Sequence, residues 1–411
     1  MLARLGGLIG GYGMRRRDLR PLYLALFLSF LGTSIAFPLR LLYAQTHGAT
    51  PAQLGVLAAS FLLAPLVAQL PLGWLVDRWG RVPVLMSGMV GHALISLLYI
   101  AFSAPVELIA LRFVEGITIA AIRPAANAYI ADVTPEEHRS EAYGVLAATY
   151  GAGLFAGPLI GGIAGQLYGF AAAYGLNVAV EVVAVALVWG QLVEPAERQM
   201  QRDESNVPPW RALVSLPLAG AYAAAFCTQI VVGFMGSLWT IWTHDLGGSL
   251  AYIGATFTVF ALPQMLFGAT AGRLGDHGNR ALLLLVTGVL ISSIYLSYGF
   301  ITNLTAILVL SIVEGLLFVF QGPLAQSLLA DASPAAGRGR VQGLAGITGA
   351  IGGAAAAFAS LPLYHAARPL PWIIMGAVMG LGSLLASLGA AAYRRRRHLD
   401  SAAAAISSAT R

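Results

Sequence analysis

Twelve uninterrupted apolar runs of helix length dominate the sequence, at about 21–42, 52–75, 83–102, 106–130, 141–166, 170–192, 214–243, 250–271, 281–301, 304–329, 340–363 and 370–392. An α-helix rises ~1.5 Å per residue, so ~20 apolar residues cross the ~30 Å hydrocarbon layer of a bilayer. The runs are continuous rather than alternating over ~10 residues, which excludes a transmembrane β-barrel. Composition points the same way: 58% of the 411 residues are hydrophobic, 10% are charged, and the mean hydropathy is +0.75. A soluble domain is roughly 45–50% apolar and about 25% charged. Disorder, a coiled coil and an ordinary soluble enzyme are thereby excluded, and the chain is predicted to be an all-α polytopic membrane protein with twelve transmembrane helices.

The scarce charges are unevenly placed. All 24 basic residues are arginine, and with the N-terminus inside, 20 of them fall in cytoplasmic segments. Arg368 lies outside, Arg40 near an outer helix end, and Arg112 and Arg123 within the fourth span. The positive-inside rule therefore predicts both termini in the cytoplasm of a cell (plasma) membrane protein. The net charge of +6 is explained by topology and by contact with anionic lipid, without a nucleic-acid partner. Cys227 is the sole cysteine, so no intrachain disulfide and no thiolate metal site is expected, and the seven histidines are scattered. The first residues, MLARLGGLIGGYG, are too short and glycine-rich an apolar stretch for a signal peptide, and Met14 is an alternative start. The only long polar interior segment, 193–212, reads as a cytoplasmic linker. The expected organisation is a tail (1–20), a six-helix half (21–192), the linker (193–212), a second six-helix half (213–393) and a tail (394–411).

A repeat underlies that division. Gly73 and Gly272, Asp77 and Asp276, and Arg81 and Arg280 are each 199 residues apart. The same spacing relates Glu115 to Glu314, Gly116 to Gly315, Pro124 to Pro323, Asp132 to Asp331, Pro135 to Pro334, Arg139 to Arg338 and Gly144 to Gly343. Ten gapless matches from the second span into the fifth predict two pseudo-symmetric halves of the same orientation, related by an axis along the membrane normal.

Three motifs carry a resemblance. Gly73-x-Leu75-x-Asp77-Arg78-x-Gly80-Arg81 resembles the signature loop between helices two and three of the major facilitator superfamily. Arg112-x-x-Glu115-Gly116 is similar to its fourth-helix motif, and Gly153-x-x-x-Gly157-Pro158-x-x-Gly161-Gly162 to the fifth-helix motif of its antiporters. With the repeat, the resemblance covers essentially the whole chain and is strongest to the twelve-helix drug:proton antiporters. It implies that Asp77, Arg78 and Arg81 latch one conformation, with Asp132 and Arg139, and in the second half Asp276, Arg280, Asp331 and Arg338, completing matching gating clusters. It also implies that the fifth-helix face of Gly153, Gly157 and Gly161 lies between the halves. Glycines every four residues permit close helix approach, and Pro158 removes a backbone donor and favours a kink. The second half keeps Gly352 and Gly353 but has Ala356 and Ala357 in place of Gly157 and Pro158.

Charges inside the bilayer cost about 2.5–3.5 kcal/mol each at a helix centre, which marks them as functional candidates. Arg112 and Glu115 share one face of the fourth span, and Arg123 precedes Pro124 on the same helix. In the family, helices one, four, seven and ten line the central cavity, which makes Glu115 and Glu314 candidate sites for protons and substrate. The Arg112 counterpart is Ser311, so Glu314 is expected to take a proton more readily than Glu115. His92 and Glu181, on the third and sixth spans, are expected to pair with each other. Unlike many multidrug members, the first span carries no acid, its one charge being Arg40 after Gly32 and Pro38. The expectation is a monomeric secondary transporter that exports a hydrophobic or amphiphilic small molecule in exchange for protons, without a cofactor. A metabolite or sugar transporter is the alternative. An intramembrane enzyme has no His/Asp/Ser, Cys/His or metal-ligand constellation to support it, and a Walker loop is impossible without lysine.

Overall fold

The computed structural model of the protein describes residues 19–195, 215–277, 279–333 and 338–409. Within these ranges the side chains of Arg139, Asp276, Asp331 and Arg338 lie outside what is described; Met14, nearly all of the N-terminal tail and most of the linker lie outside altogether. Among the described residues there are thirteen helices: α1 (Arg20–Ala36), α2 (Arg40–Thr46), α3 (Pro51–Trp79), α4 (Arg81–Ala101), α5 (Pro105–Val133), α6 (Glu136–Tyr168), α7 (Phe170–Gln191), α8 (Leu216–Asp245), α9 (Leu250–His277), α10 (Arg280–Tyr298), α11 (Leu304–Ala332), α12 (Arg338–Ala366) and α13 (Leu370–Ala409). Pro38, which has no backbone N–H to give, stands in the turn that splits the first predicted span into α1 and α2. The later helices then follow the other eleven predicted runs in order. Among the described residues eleven spans are long and apolar enough to cross a membrane, with α1 and α2 counted as one. The twelfth, α5, is 29 residues long but is not among them. It carries Glu107, Arg112, Glu115 and Arg123, so the chemistry that makes it interesting also lowers its apolarity.

The helix ends have local causes. Thr50 caps α3, accepting from the Gln53 amide at 3.3 Å while the Gln53 side chain accepts from the Thr50 amide at 2.9 Å. Gly80 alone joins α3 to α4 with φ +110°, and Gly169 alone joins α6 to α7 with φ +82°. L-residues with a side chain rarely hold such angles.

Contacts divide the described chain into two compact units. The first holds the chain through Arg202 together with Gly236–Met265, and the second holds Asp203–Met235 and the chain from Leu266. The core of the first runs from Leu22, Leu26 and Phe30 on α1 through Met89 on α4 and Ile122 and Ala125 on α5 to Val188 on α7. The core of the second includes Leu218, Leu284, Leu324, Leu328, Val341 and Ala386. Gly236–Met265 joins the first unit through backbone proximity to α6. A Cβ on Gly254 would lie 2.8 Å from the Pro158 carbonyl carbon, and one on Gly162 would lie 3.0 Å from that of Leu250. Thr258 donates to the Phe155 carbonyl at 2.9 Å, and the Ala251 amide to the Gln166 side chain at 3.1 Å.

The fifth-span motif corrects an expectation. Gly153, Gly157 and Gly161 face α1 of their own six-helix half. Cβ atoms there would lie 2.8 Å from the Leu31 nitrogen, 2.8 Å from the Ile35 nitrogen and 2.7 Å from the Ile35 carbonyl carbon. Only Gly162 and Pro158 of the motif meet the start of α9. The reason is rotational: residues four apart stay on one helix face, while Gly162 is turned ~100° from Gly161. Gly161→Ala is expected to cost about 1–3 kcal/mol by overpacking, read by thermal unfolding in detergent. Gly151→Ala, with nothing within 4 Å of its Cβ position, should be neutral or stabilising; equal losses would refute the close-approach role of Gly161.

Candidate functional site

The signature-loop residues gather where α3 ends. Arg81, the first residue of α4, is buried to 2% exposure. It donates Nε to Asp132 Oδ2 at 2.7 Å and Nη1 to the Val76 carbonyl at 3.0 Å. Asp77 stands one turn back, 3.6 Å from Arg81 Nη1, with its side chain 69% exposed. An exposed pair is worth about 0–1 kcal/mol, so the Arg81–Asp77 contact is far more easily given up than the buried Arg81–Asp132 pair. Arg78 lies 5.0 Å from the Trp74 ring, and a Cβ on Gly73 would meet nothing within 4 Å.

A residue beyond the sequence motif completes this cluster. Glu194, just after α7, accepts from the Arg81 and Val82 amides, each at 2.8 Å, and so satisfies the open N-terminus of α4. A Cβ on Gly80 would strike the Glu194 carboxylate. Position 80 is therefore restricted twice, by its φ and by this carboxylate.

Deeper in the same unit lies a network of buried charge. Glu115 is fully buried on α5 and takes a bond from Arg112 Nη1 at 2.7 Å and another from the Tyr99 hydroxyl at 3.1 Å. Its other oxygen is paired with Arg40, the first residue of α2, which is 3% exposed. Arg40 stands six residues before the end of the first span, Arg20–Thr46, near a helix end as expected, but is buried. The Pro38 break starts α2 within the membrane-spanning stretch, and the Arg40 side chain turns inward to the acid. The Arg112 guanidinium also lies 3.8 Å from the Phe61 ring centre.

His92 links this acid to a second one. His92 Nε2 is 3.4 Å from Glu115 Oε1, and Nδ1 is 2.6 Å from Glu181 Oε1, which also accepts from the Ser29 hydroxyl at 3.0 Å. The expected His92–Glu181 pair is present, as one arm of a larger network. Two arginines and two glutamates balance formally, with the imidazole between the carboxylates. Asn177, one turn from Glu181 on α7, donates to Ser96 at 2.9 Å.

Glu314 has a different environment. It is 2% exposed on α11 and accepts from the Tyr298 hydroxyl at 3.0 Å. Among the described residues no arginine or histidine forms an ion pair with it. Tyr99 and Tyr298 are themselves 199 apart, so each half keeps a tyrosine on its glutamate. The positions equivalent to Arg40, His92, Arg112 and Glu181 are Trp239, Ile291, Ser311 and Gly380. The repeat spacing was the signal for these tyrosines, and being the one charge of the first span was the signal for Arg40; nothing in the linear order marked Glu194. Arg123 joins none of these clusters: its guanidinium lies over the rings of Phe30 and Tyr150. Gln321 is buried and donates to Thr287 at 2.8 Å. No group of three or more potential metal-ligating side chains occurs among the described residues.

Removing one member of a buried ion pair strands the other, at a cost of about 3–5 kcal/mol. Arg40→Gln is expected to fall at the lower end of that range in thermal unfolding, because Arg112 still holds Glu115. Arg40→Gln combined with Glu115→Gln should cost clearly less than the sum of the two single changes. Strict additivity would mean that the two side chains are not coupled.

Comparisons with known proteins agree with this architecture. The family model described as Major Facilitator Superfamily matches residues 22–240 and again 221–409. The class E tetracycline resistance protein of Escherichia coli is 33% identical over 235 residues, covering 55% of this chain and 58% of that protein. The chain thus spans little more than half of that relative. The class D tetracycline resistance protein of Salmonella ordonez is 28% identical over 80% of this chain and 84% of its own. Among solved structures, an inward-facing bacterial homolog of the human lysosomal transporter Spinster superposes with a TM-score of 0.70 at 15% identity, over 96% of this chain and 97% of that one. This multi-pass membrane protein therefore belongs to the Major Facilitator Superfamily.

Proposed function

We propose that the protein is a secondary transporter of the drug:proton antiporter type, which exports a hydrophobic or amphiphilic small molecule from the cytoplasm in exchange for protons. The observation that carries the coupling is Glu314: a carboxylate buried in the second unit, held by a tyrosine hydroxyl and without an ion pair among the described residues. A buried acid with no cation to stabilise its charge takes up a proton when sealed from water and releases it when water reaches it. Glu115, clamped between Arg40 and Arg112, is better suited to stay ionised and hold its unit together. The relatives named tetracycline resistance proteins support a drug-efflux assignment over the metabolite or sugar alternative.

In this reading two six-helix halves, residues 21–192 and 213–393 joined by a cytoplasmic linker, rock about a site near the midplane. Asp77, Arg81 and Asp132, with their counterparts Asp276, Arg280, Asp331 and Arg338 and with Arg139, latch one state at the cytoplasmic side. The weak Asp77–Arg81 contact is the part that breaks. The protein performs no covalent chemistry, uses no cofactor beyond the proton gradient, works as a monomer and has both termini in the cytoplasm.

The test is exchange in proteoliposomes with an imposed pH gradient. Glu314→Gln is expected to reduce gradient-driven transport to the level of protein-free vesicles while leaving downhill counterflow of substrate measurable. If Glu314→Gln, alone or with Glu115→Gln, transports normally under the gradient, the proton site lies elsewhere.

A further inference from the structure

Arg123 stands in the interior of α5, eighteen residues from its start and ten from its end, or about 27 and 15 Å along the axis. Its guanidinium carbon lies 5.2 Å from the Tyr150 ring centre and 5.6 Å from that of Phe30. The two rings pack on each other at 4.3 Å between centres and are 9% and 6% exposed, whereas Arg123 is exposed. Ring faces hold a guanidinium by its quadrupole but do not neutralise it. Among the described residues no carboxylate pairs with Arg123. The other arginines within the membrane-spanning stretch, Arg40 and Arg112, share Glu115. A charge at this depth is costly unless something answers it.

A second observation meets the first. The Tyr150 hydroxyl is buried and has no hydrogen-bond partner among the described residues. A buried hydroxyl left unbonded costs about 1–3 kcal/mol, so an uncompensated cation and an unpaired hydroxyl belong to the same small group of side chains. The repeat shows that the scaffold does not need this group. The positions equivalent to Phe30, Arg123 and Tyr150 are Gln229, Gly322 and Gly349. A Cβ on Gly349 would lie 2.8 Å from the Gln229 side chain, so at this point the helices of the second unit meet through a glutamine and a glycine, without the ring pair or the charge.

We infer that Arg123, Phe30 and Tyr150 form a seat for the anionic group of an aromatic or amphiphilic solute, and that the transported substrate therefore carries a negative charge. The guanidinium, propped on the two rings, pairs with a carboxylate, enolate or sulfonate, and the Tyr150 hydroxyl donates to the same oxygen. This rests on the transport reading for its physiological meaning, but the seat itself is a binding property that can be measured separately.

The full-length protein in neutral detergent is titrated with two fluorescent probes of one aromatic body, anilinonaphthalene sulfonate and uncharged phenylnaphthylamine. The wild type is expected to prefer the sulfonate. Arg123→Gln should weaken sulfonate binding roughly tenfold and leave phenylnaphthylamine unchanged. Tyr150→Phe should weaken the sulfonate about threefold, and Arg123→Lys should retain most of the preference for it. The neutral probe reports whether each variant is folded. Equal weakening of both probes, or no change for the sulfonate, overturns the seat. If phosphatidylglycerol in nanodiscs displaces the sulfonate from the wild type where phosphatidylcholine does not, the anion is a lipid headgroup and the substrate inference fails. The proteoliposome assay separates this from the antiporter reading. Arg123-dependent anion binding without gradient-driven exchange sinks only the antiporter. Gradient-driven export of ethidium by a protein without anion preference sinks only the seat.

Discussion

The rest of the first unit is arranged around one problem, a carboxylate held away from water. Glu115 is compensated from two sides: Arg112 lies one turn before it on α5, and Arg40 arrives from α2. That second approach depends on the break at Pro38, without which residue 40 would continue the line of α1. His92 then ties α4 to both Glu115 and Glu181, and Ser29 brings α1 to the same point. Five helices thus meet at one electrostatic centre. A charge at a helix centre costs about 2.5–3.5 kcal/mol in hydrocarbon, so none of these side chains is tolerable alone, and each fixes the rotation of the helix that carries it.

The two halves divide labour in a way the repeat makes visible. What recurs at a spacing of 199 is the aspartate and arginine around the α3–α4 junction, the prolines of α5 and α11, and the tyrosine–glutamate pairs Tyr99–Glu115 and Tyr298–Glu314. What does not recur is the compensation. With Trp239, Ile291, Ser311 and Gly380 where the first half has Arg40, His92, Arg112 and Glu181, the duplicated glutamate of α11 has no ion pair among the described residues. The same repeat position is thus paired with two arginines in one half and with a tyrosine hydroxyl in the other.

The spans were legible in the sequence because hydrocarbon imposes a length and a composition on every helix, and neither depends on tertiary contacts. The repeat and the α3-end motif were legible for a similar reason, being patterns in the linear order. Where Arg40 points was not. Nothing in its neighbourhood says whether a charge near a helix end turns outward to water or inward to an acid 75 positions later. Glu194 was hidden likewise, since a residue in the first positions of the linker becomes a cap only when the end of α7 returns to the start of α4. The network between His92 and Glu181 was partly visible as two charges of matching depth, but its connection to Glu115 needed the packing of α4 against α5.

The glycines of α6 connect these layers. Their four-residue spacing reads as a close-packing face, and the partner is α1: Ser34 donates to the Gly153 carbonyl at 2.8 Å, and its hydroxyl fills the space a Cβ on Gly157 would take. Drawing α1 this close to α6 is what brings Phe30 onto the Tyr150 ring at 4.3 Å, and those two rings are what Arg123 rests on. A side chain at Gly153 would press on Phe30 itself, whose Cβ is 2.9 Å from the position a new Cβ would take. The motif therefore does more than let two helices approach. Through α1 it sets the spacing of the aromatic pair beneath Arg123, so a change in the glycine face alters the one exposed charge in the interior of α5 without touching it.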